Sequence, residues 1–249
     1  MAQLLRYLIS LFLLGALGWS GPLRAQTTLP AEPKQPPPVM VRFAYIRGNE
    51  TTEPDMIAKL ASGKVVHDLT IVPGGLSDTI EYRGPGVITL FRSVVVEGKT
   101  ESRPLAKLEF PASWRGVLFL VTHDKSQRSF PYRFTPIEYW GEDMSENSVR
   151  LYNFCPAALG VKLADVQEVV EINQRADFVI GAGREFLPIK IACRPPGGDW
   201  ELKMRTGLPK PASARMLLFV FPDSKEFRNL RTVVVNDVPM PPKQPDASQ

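Results

Sequence analysis

The sequence predicts an all-β protein built from two tandem β-sandwich domains that arose by internal duplication. The first observation is a repeat, because PASWRGVLF at 111–119 returns one hundred residues later as PASARMLLF at 211–219. A repeat at this spacing indicates two copies of a whole domain and not a solenoid of short units. The second observation is that the apolar runs are short, rich in β-branched and aromatic residues, and lack a sustained helical period.

The first twenty-five residues, 1–25, are typical of a secretory signal peptide. Arg6 supplies a positive charge, 8–19 form an apolar run, and a small residue, Ala25, ends the segment before Gln26. The apolar run is shorter than the roughly 20 residues that span a bilayer, so a retained membrane helix is the less favoured alternative. We therefore expect a periplasmic or secreted protein with no stable membrane span after cleavage.

Two segments are rich in proline and poor in apolar residues. The segment 26–38 contains repeated prolines, which favour an extended polyproline linker. The last residues, 239–249, have a similar composition and are expected to form a disordered tail.

Between these segments, the sequence predicts a first sandwich domain at 39–138 and a second at 147–238. Each opens on a strand, since Val41 and Phe43 alternate with Arg42, and Val149 and Leu151 alternate with Arg150. A second correspondence aligns 64–66 with 168–170. Further strand-like runs occur in both halves, at 87–91, 94–96, 117–121, 189–191, 217–221 and 232–235.

Turn residues separate these runs at short, regular intervals. Proline and glycine clusters at 73–75, 84–86, 181–183 and 195–198 stop helices and supply backbone with positive φ. Short strands with regular turns, in two units of about one hundred residues, fit immunoglobulin-like or transthyretin-like sandwiches. The segment 135–147 separates the two repeats and turns polar after Trp140. It offers few residues as a linker, so we expect the two domains to touch, with Tyr139 and Trp140 filling the contact between them.

The charge balance is close to neutral. Without the two arginines of the predicted signal, 28 basic residues stand against 26 acidic ones, and the two signs are interleaved along the chain. This distribution is not that of a nucleic-acid-binding protein, and it indicates an ordinary solvated surface, with weak attraction to anionic surfaces as the alternative. We accordingly expect no nucleic-acid partner.

The two cysteines, Cys155 and Cys193, both lie in the second predicted domain. Export would place them in an oxidising compartment, and strand alternation directs both side chains into the same core. We therefore predict a disulfide, with two buried thiols as the alternative. A redox-active role is not expected, because the chain has no Cys-x-x-Cys spacing.

No catalytic or metal-binding constellation is recognisable in the sequence. His67 and His123 each precede an aspartate, but no nucleophile elbow accompanies them and few further ligands are available for zinc. A pair of carboxylates could support glycoside hydrolysis, with Glu81, Glu109, Asp199 and Glu201 as candidates. The sequence predicts no catalytic residue, no metal site and no cofactor.

Three aromatic residues are candidates for contact with a ligand. Trp114 lies in the first copy of the repeat where the second copy has Ala214, so the fold itself does not require a ring there. Tyr139 and Trp140 lie at the domain boundary. By contrast, Phe130, Tyr132 and Phe134 alternate as strand residues do, and burial is the favoured interpretation for them.

The stretch 148–156, SVRLYNFCP, resembles the start of domains in uncharacterised exported bacterial proteins with tandem β-sandwiches. The resemblance implies location and fold, and it brings no catalytic residues. The first domain opens on Val41-Arg42-Phe43 but lacks the continuation from asparagine to proline.

These observations favour a non-enzymatic binding or scaffold protein of the bacterial cell envelope. It would recognise an envelope protein or a polysaccharide through sandwich edges or loops. A pilus chaperone is a minor variant, since the arginine- and lysine-bearing strand motifs of that family are not found. The alternative class is a carbohydrate-active hydrolase with a carboxylate pair in the groove between the domains.

Overall fold

The computed structural model describes residues 37–48, 53–127, 129–181, 183–209, 215–223 and 229–237. The predicted signal peptide at 1–25, most of the predicted linker at 26–38 and the predicted tail at 239–249 lie outside the described residues. The second copy of the repeated PAS sequence, at 211–213, lies outside them as well.

The described residues form sixteen β-strands and one short 3-10 turn, Gly141–Asp143, and within these residues no α-helix occurs. The first eight strands are β1 (Val39–Ile46), β2 (Met56–Ser62), β3 (Val65–Ile71), β4 (Ile80–Tyr82), β5 (Val87–Val96), β6 (Lys99–Glu109), β7 (Gly116–His123) and β8 (Tyr132–Glu138). The next eight are β9 (Ser148–Asn153), β10 (Ala158–Leu163), β11 (Val166–Val170), β12 (Arg175–Val179), β13 (Phe186–Arg194), β14 (Glu201–Pro209), β15 (Arg215–Pro222) and β16 (Leu230–Asp237). The prediction of an all-β protein is confirmed.

The strands form four sheets of four strands, two in each sandwich. The first sandwich contains the sheets β4-β1-β7-β8 and β3-β2-β5-β6, and the second contains β12-β9-β15-β16 and β11-β10-β13-β14. The two sandwiches have the same strand order, because adding eight to each strand number of the first gives the strand order of the second. Both copies also pair their first and seventh strands in parallel, and both carry a bulge at the same place, after Leu90 and after Ile191. The fold is therefore two tandem sandwiches with one duplicated topology.

Each sandwich has its own apolar core between its two sheets. In the first, Phe43 and Phe119 stack at 5.3 Å between ring centroids, and Phe130 and Tyr132 pack beside them, as the sequence predicts. In the second, aliphatic residues such as Leu151 dominate the core. Every second side chain of a strand enters the core of its sandwich. This explains why apolar residues alternate with polar ones in strands that have one face exposed to solvent.

A third apolar cluster lies between the two sandwiches and is called the junction here. It joins the outward faces of the sheets β4-β1-β7-β8 and β12-β9-β15-β16, which we call the inner sheets. The central strands β7 and β15 are consequently buried on both faces. The buried members of the junction are Ala44, Ile46, Leu118, Leu120, Tyr139, Met144, Tyr152, Leu217, Phe219 and Val235.

The structure corrects the alignment of the two repeats by one residue. Arg42 and Arg150 hold the same place in the Val-Arg openings of β1 and β9. Arg42 lies opposite Leu118 and Arg150 lies opposite Leu217. Leu118 and Leu217 are therefore equivalent, and the offset between β7 and β15 is 99 residues. The matching letters Phe119 and Phe219 are not equivalent, because Phe119 enters the first core whereas Phe219 enters the junction. A shift of one residue along a strand exchanges its two faces.

The second correspondence, of 64–66 with 168–170, is also wrong. In the hairpins β2–β3 and β10–β11, the pair Ser62–Val65 is matched by the pair Leu163–Val166. The equivalent of Val65 is therefore Val166 and not Val169. Val-Val sequences recur often in β-strands, so short identities of this kind do not fix a register.

Candidate functional site

Trp114 lies at the end of a tight turn that leads into β7. The turn begins at Pro111, whose carbonyl accepts a hydrogen bond of 3.1 Å from the backbone N–H of Trp114. The indole is half-buried and packs against the edge of the first core. It is therefore less exposed than the sequence suggests, although part of the ring stays accessible.

Trp140 follows β8 and starts the 3-10 turn, where its carbonyl accepts a hydrogen bond of 3.1 Å from the Asp143 N–H. The guanidinium of Arg115 lies over its ring, 4.8 Å from the centroid. A cation over an indole face is attracted by the quadrupole of the ring. The pair places an exposed positive charge beside an aromatic surface.

These two tryptophans line one concave site, which we call the aromatic groove. Its volume is about 650 Å³, within the range of known ligand pockets. Phe110 and Pro85 form part of its floor, and Arg115 is the charged residue in its described lining. The complete described lining is Pro37, Pro38, Val39, Gly84, Pro85, Gly86, Phe110, Ala112, Ser113, Trp114, Arg115 and Trp140.

Tyr139, predicted as a ligand-contacting residue, is instead part of the junction. Its side chain is 3% exposed, and its hydroxyl donates a hydrogen bond to the Asp237 carboxylate. Burial, together with the charge of Asp237, raises the pKa of this hydroxyl well above its ordinary value. Tyr139 therefore ties the two sandwiches together and holds the backbone that carries Trp140.

Asp237 is the centre of a buried ionic cluster at the junction. Arg42 from the first sandwich reaches its carboxylate at 2.6 Å, and Arg215 from the second approaches at 3.3 Å. Burial raises the pKa of Asp237, but hydrogen bonds from Arg42 and Tyr139 outweigh it, and the pKa lies below its ordinary value. The carboxylate is therefore ionised and is not placed to act as a general acid.

A cavity of about 170 Å³ adjoins this cluster and shares Trp140 with the aromatic groove. Its charged lining residues are Arg42, Arg215 and Glu142. The lining carries two arginines and one glutamate, and the Asp237 carboxylate, which pairs with both arginines, offsets the second positive charge.

A second groove, of about 410 Å³, follows the junction between the sandwiches and is partly lined by Trp114. Of its described lining, Glu138 is the residue with a carboxylate. None of Glu81, Glu109, Asp199 and Glu201, the carboxylates considered for hydrolysis, lies in this described lining. Glu201 instead pairs with Lys203 at 2.8 Å.

Cys155 and Cys193 are free thiols in the structure, so the predicted disulfide is not formed in it. Both side chains lie in the second core, as expected. The Cys155 thiol donates a hydrogen bond to the Val220 carbonyl on β15, with 3.7 Å between the sulfur and the oxygen. Burial raises the pKa of Cys155 to about 12 and that of Cys193 to about 11, so both thiols are protonated at neutral pH.

The two histidines lie on different strands. His123 packs against Tyr132, with ring centroids 6.0 Å apart, and His67 lies on β3. Across the part of the chain that the structure describes, no group of three or more His, Cys, Asp or Glu side chains is placed to hold a metal ion.

Sequence reasoning missed Arg42, Arg215 and Asp237. Asp237 ends the apolar run of β16 and Arg215 starts β15, so both resemble solvated residues at the ends of strands. The sequence did contain an indication: β7 and β15 are apolar on both faces, which indicates that another sheet covers the side on which Arg215 and Asp237 lie.

Comparison with known protein families finds none that matches this chain, and no curated protein matches it. Among the described residues, no helix has the length and apolar character needed to cross a membrane.

Proposed function

We propose that this protein is a non-enzymatic binding or scaffold protein of the bacterial cell envelope, which recognises an envelope protein or a polysaccharide. The observation that carries the proposal is the aromatic groove, where two tryptophans, a phenylalanine and an arginine converge on one concave surface. Flat rings beside a cation suit both an extended peptide and a chain of sugar rings.

A backbone hydrogen bond between the two walls of the groove supports a binding role. The two tryptophans come from separate segments, the turn before β7 and the segment after β8, which are joined by a hydrogen bond of 3.1 Å from the Tyr139 N–H to the Gly116 carbonyl. A site whose walls are fixed before binding loses little conformational entropy when the ligand arrives.

The location in the envelope rests on the sequence, through the predicted signal peptide and the resemblance to exported tandem-sandwich proteins. The chemistry of the described residues favours binding over hydrolysis, since Asp237 is held ionised between two arginines.

The test is binding of envelope fractions to the mature protein, from Gln26 onward. Solubilised envelope proteins and purified envelope polysaccharides would be passed separately over the immobilised protein, and captured material identified by crosslinking and mass spectrometry. We expect saturable binding of one fraction, reduced at least about tenfold by Trp114→Ala and by Trp140→Ala, as for tryptophans at the centre of an interface.

Val95→Ala is the control, because Val95 is exposed on the same sandwich but outside the described lining of the groove. Circular dichroism would establish that all three variants are folded. Binding that both tryptophan variants leave unchanged would contradict a role for the groove. Turnover of a glycan by the wild-type protein would instead support the hydrolase alternative.

A further inference from the structure

The outward face of the sheet β11-β10-β13-β14 carries an unusual set of side chains. This sheet covers the second core on the side away from the junction. Its inward residues, such as Val161 and Ile191, are buried. We call its outward face the cationic face and define it by Lys162, Lys190, Arg194, Trp200, Leu202 and Arg205.

Three of these cations form a row across adjacent strands. Lys162 lies directly opposite Lys190, and Lys190 lies directly opposite Arg205. Neighbouring strands are about 4.8 Å apart, and like charges directly opposite each other destabilise a sheet. Among the described residues none of the three side chains forms an ion pair. The row therefore has a cost in stability that the described residues do not offset.

Carboxylates are missing from the outward positions of these four strands within the described residues. The acidic residues of β11 and β14, Glu168 and Glu201, occupy the alternate positions opposite Val161 and Cys193, which point the other way. The face consequently has a positive charge from Lys162, Lys190, Arg194 and Arg205, although the mature chain as a whole is nearly neutral.

Exposed apolar side chains accompany the cations. Leu202 is 60% exposed and Phe186, at the start of β13, is 67% exposed. Trp200 is 43% exposed, its ring rests over Gly160, and the guanidinium of Arg194 lies 4.8 Å from the ring centroid. These side chains flank the row of cations on the same sheet face, with Trp200 and Leu202 towards one end and Phe186 towards the other. Large apolar side chains exposed on one face indicate an interaction site.

The first sandwich provides an internal comparison, because the shared bulge fixes equivalent positions in the two copies. Its corresponding face carries the ion pair Lys59–Asp68, at 2.5 Å, where the second sandwich has Gly160 and Val169. The positions of Lys162, Lys190 and Arg194 are occupied in the first sandwich by Ala61, Thr89 and Ser93. The fold therefore does not require these cations.

We propose that the cationic face docks on the surface of an anionic lipid bilayer. Lysine and arginine are attracted to anionic headgroups, while aromatic and aliphatic side chains enter the boundary between headgroups and acyl chains. A soluble acidic polymer would satisfy the cations but would leave Leu202 and Phe186 exposed to water. The combination of both kinds of side chain on one sheet face favours lipid, and this docking is independent of the aromatic groove.

The experiment is sedimentation of the mature protein with lipid vesicles. One set contains phosphatidylcholine alone and the other contains phosphatidylcholine with phosphatidylglycerol. We expect binding to the anionic vesicles alone, weakened by salt. The triple variant Lys162→Ala, Lys190→Thr, Arg194→Ser, which takes the residues of the first sandwich, is expected to bind about 100-fold more weakly.

The control is Lys64→Thr, Lys99→Thr, Lys107→Thr, which removes the same charge from exposed positions of the first sandwich and should bind like the wild type. Leu202→Ala should weaken vesicle binding without changing the net charge. Equal binding to neutral vesicles, or an equal loss in both triple variants, would overturn the proposal. Binding of dextran sulfate as tight as that of vesicles, and insensitive to Leu202→Ala, would also overturn it and assign the face to soluble polyanions.

Discussion

The buried side chain of Asn153 fixes the end of β9. Its amide donates hydrogen bonds of 2.8 Å to the Ala157 carbonyl and 3.0 Å to the Val170 carbonyl, and its side-chain oxygen accepts one of 2.8 Å from the Cys155 N–H. One side chain therefore closes the turn after β9 and attaches it to β11. The stretch from asparagine to proline, noted in the sequence, has this structural role. In the first sandwich Tyr45 holds the equivalent position, which explains why that stretch is absent there.

The state of the cysteines follows from the same core. We predict that the native protein, purified without reductant, does not react with a thiol reagent at pH 8, because burial raises the pKa of Cys155 to about 12 and that of Cys193 to about 11. After denaturation two thiols should react. The measurement is reagent uptake before and after unfolding. Absence of reaction after unfolding would show that the two sulfurs are bridged, as the sequence alone suggests.

At the scale of strands, the sequence predicted the class of element but not its faces. The predicted run 189–191 lies within β13, whose residues alternate between buried and exposed as in a strand with one buried side. The strands β7 and β15 are buried on both sides and show no alternation of apolar and polar residues. The sequence therefore does not show which of their residues face the core and which face the junction. This is the physical reason that the repeat alignment was one residue out.

The cationic face could not be predicted for a related reason. Lys162, Lys190 and Arg205 come from three strands and are separated in sequence by acidic residues. Only the order of the strands within the sheet places them side by side. The prediction of an ordinary solvated surface rested on charges counted along the chain. Such a count mixes residues from different sheet faces, which the fold keeps apart.

The start of β7 should be sensitive to a single added methyl group. A Cβ at Gly116 would meet the backbone oxygen of Tyr139 and lie 3.1 Å from the ring of Trp140. We expect Gly116→Ala to lower the free energy of unfolding by about 2 kcal/mol, as overpacking does, and to disturb the aromatic groove. Chemical denaturation would measure the loss, with Gly207→Ala on β14, where a Cβ meets no atom within 4 Å, as the control. Equal stability of both variants would contradict the close approach.

At the scale of the whole molecule, the junction determines how the two sandwiches are held. Its apolar cluster is flanked by the ionic cluster of Arg42, Arg215 and Asp237, with contributions from both sandwiches. The sequence predicted that the domains touch near Tyr139, and the structure places this residue in the junction. The sequence analysis did not predict that two whole sheet faces meet. This contact depends on the second apolar face of the central strands β7 and β15.

Loss of the central carboxylate should weaken the junction. Asp237→Asn leaves two arginines without their buried partner, so we expect the free energy of unfolding to fall by about 3 kcal/mol. Asp199→Asn, at an exposed position, should have little effect. Denaturant unfolding would measure both, and limited proteolysis of 141–147 would report opening of the junction.

The same carboxylate predicts a response to acid. Because the folded pKa of Asp237 is below the ordinary value of 3.8, its contribution is complete above that value and is lost as the pH falls through the folded pKa. The wild type should therefore lose more stability than Asp237→Asn between neutral pH and about pH 3. Parallel curves for the two proteins would contradict an ionised Asp237 in the folded state.

The junction brings together equivalent positions of the two copies. Leu118 and Leu217 are equivalent and both lie in it, and Tyr139 and Asp237, which contact each other, are equivalent as well. A surface that meets its own copy is the isologous arrangement of a two-fold symmetric homodimer. The junction thus has the form of an interface between two copies of one sandwich within a single chain. Two halves joined in one chain can carry different residues at equivalent positions, and their outward faces do: the first pairs Lys59 with Asp68, whereas the second carries the row of Lys162, Lys190 and Arg205.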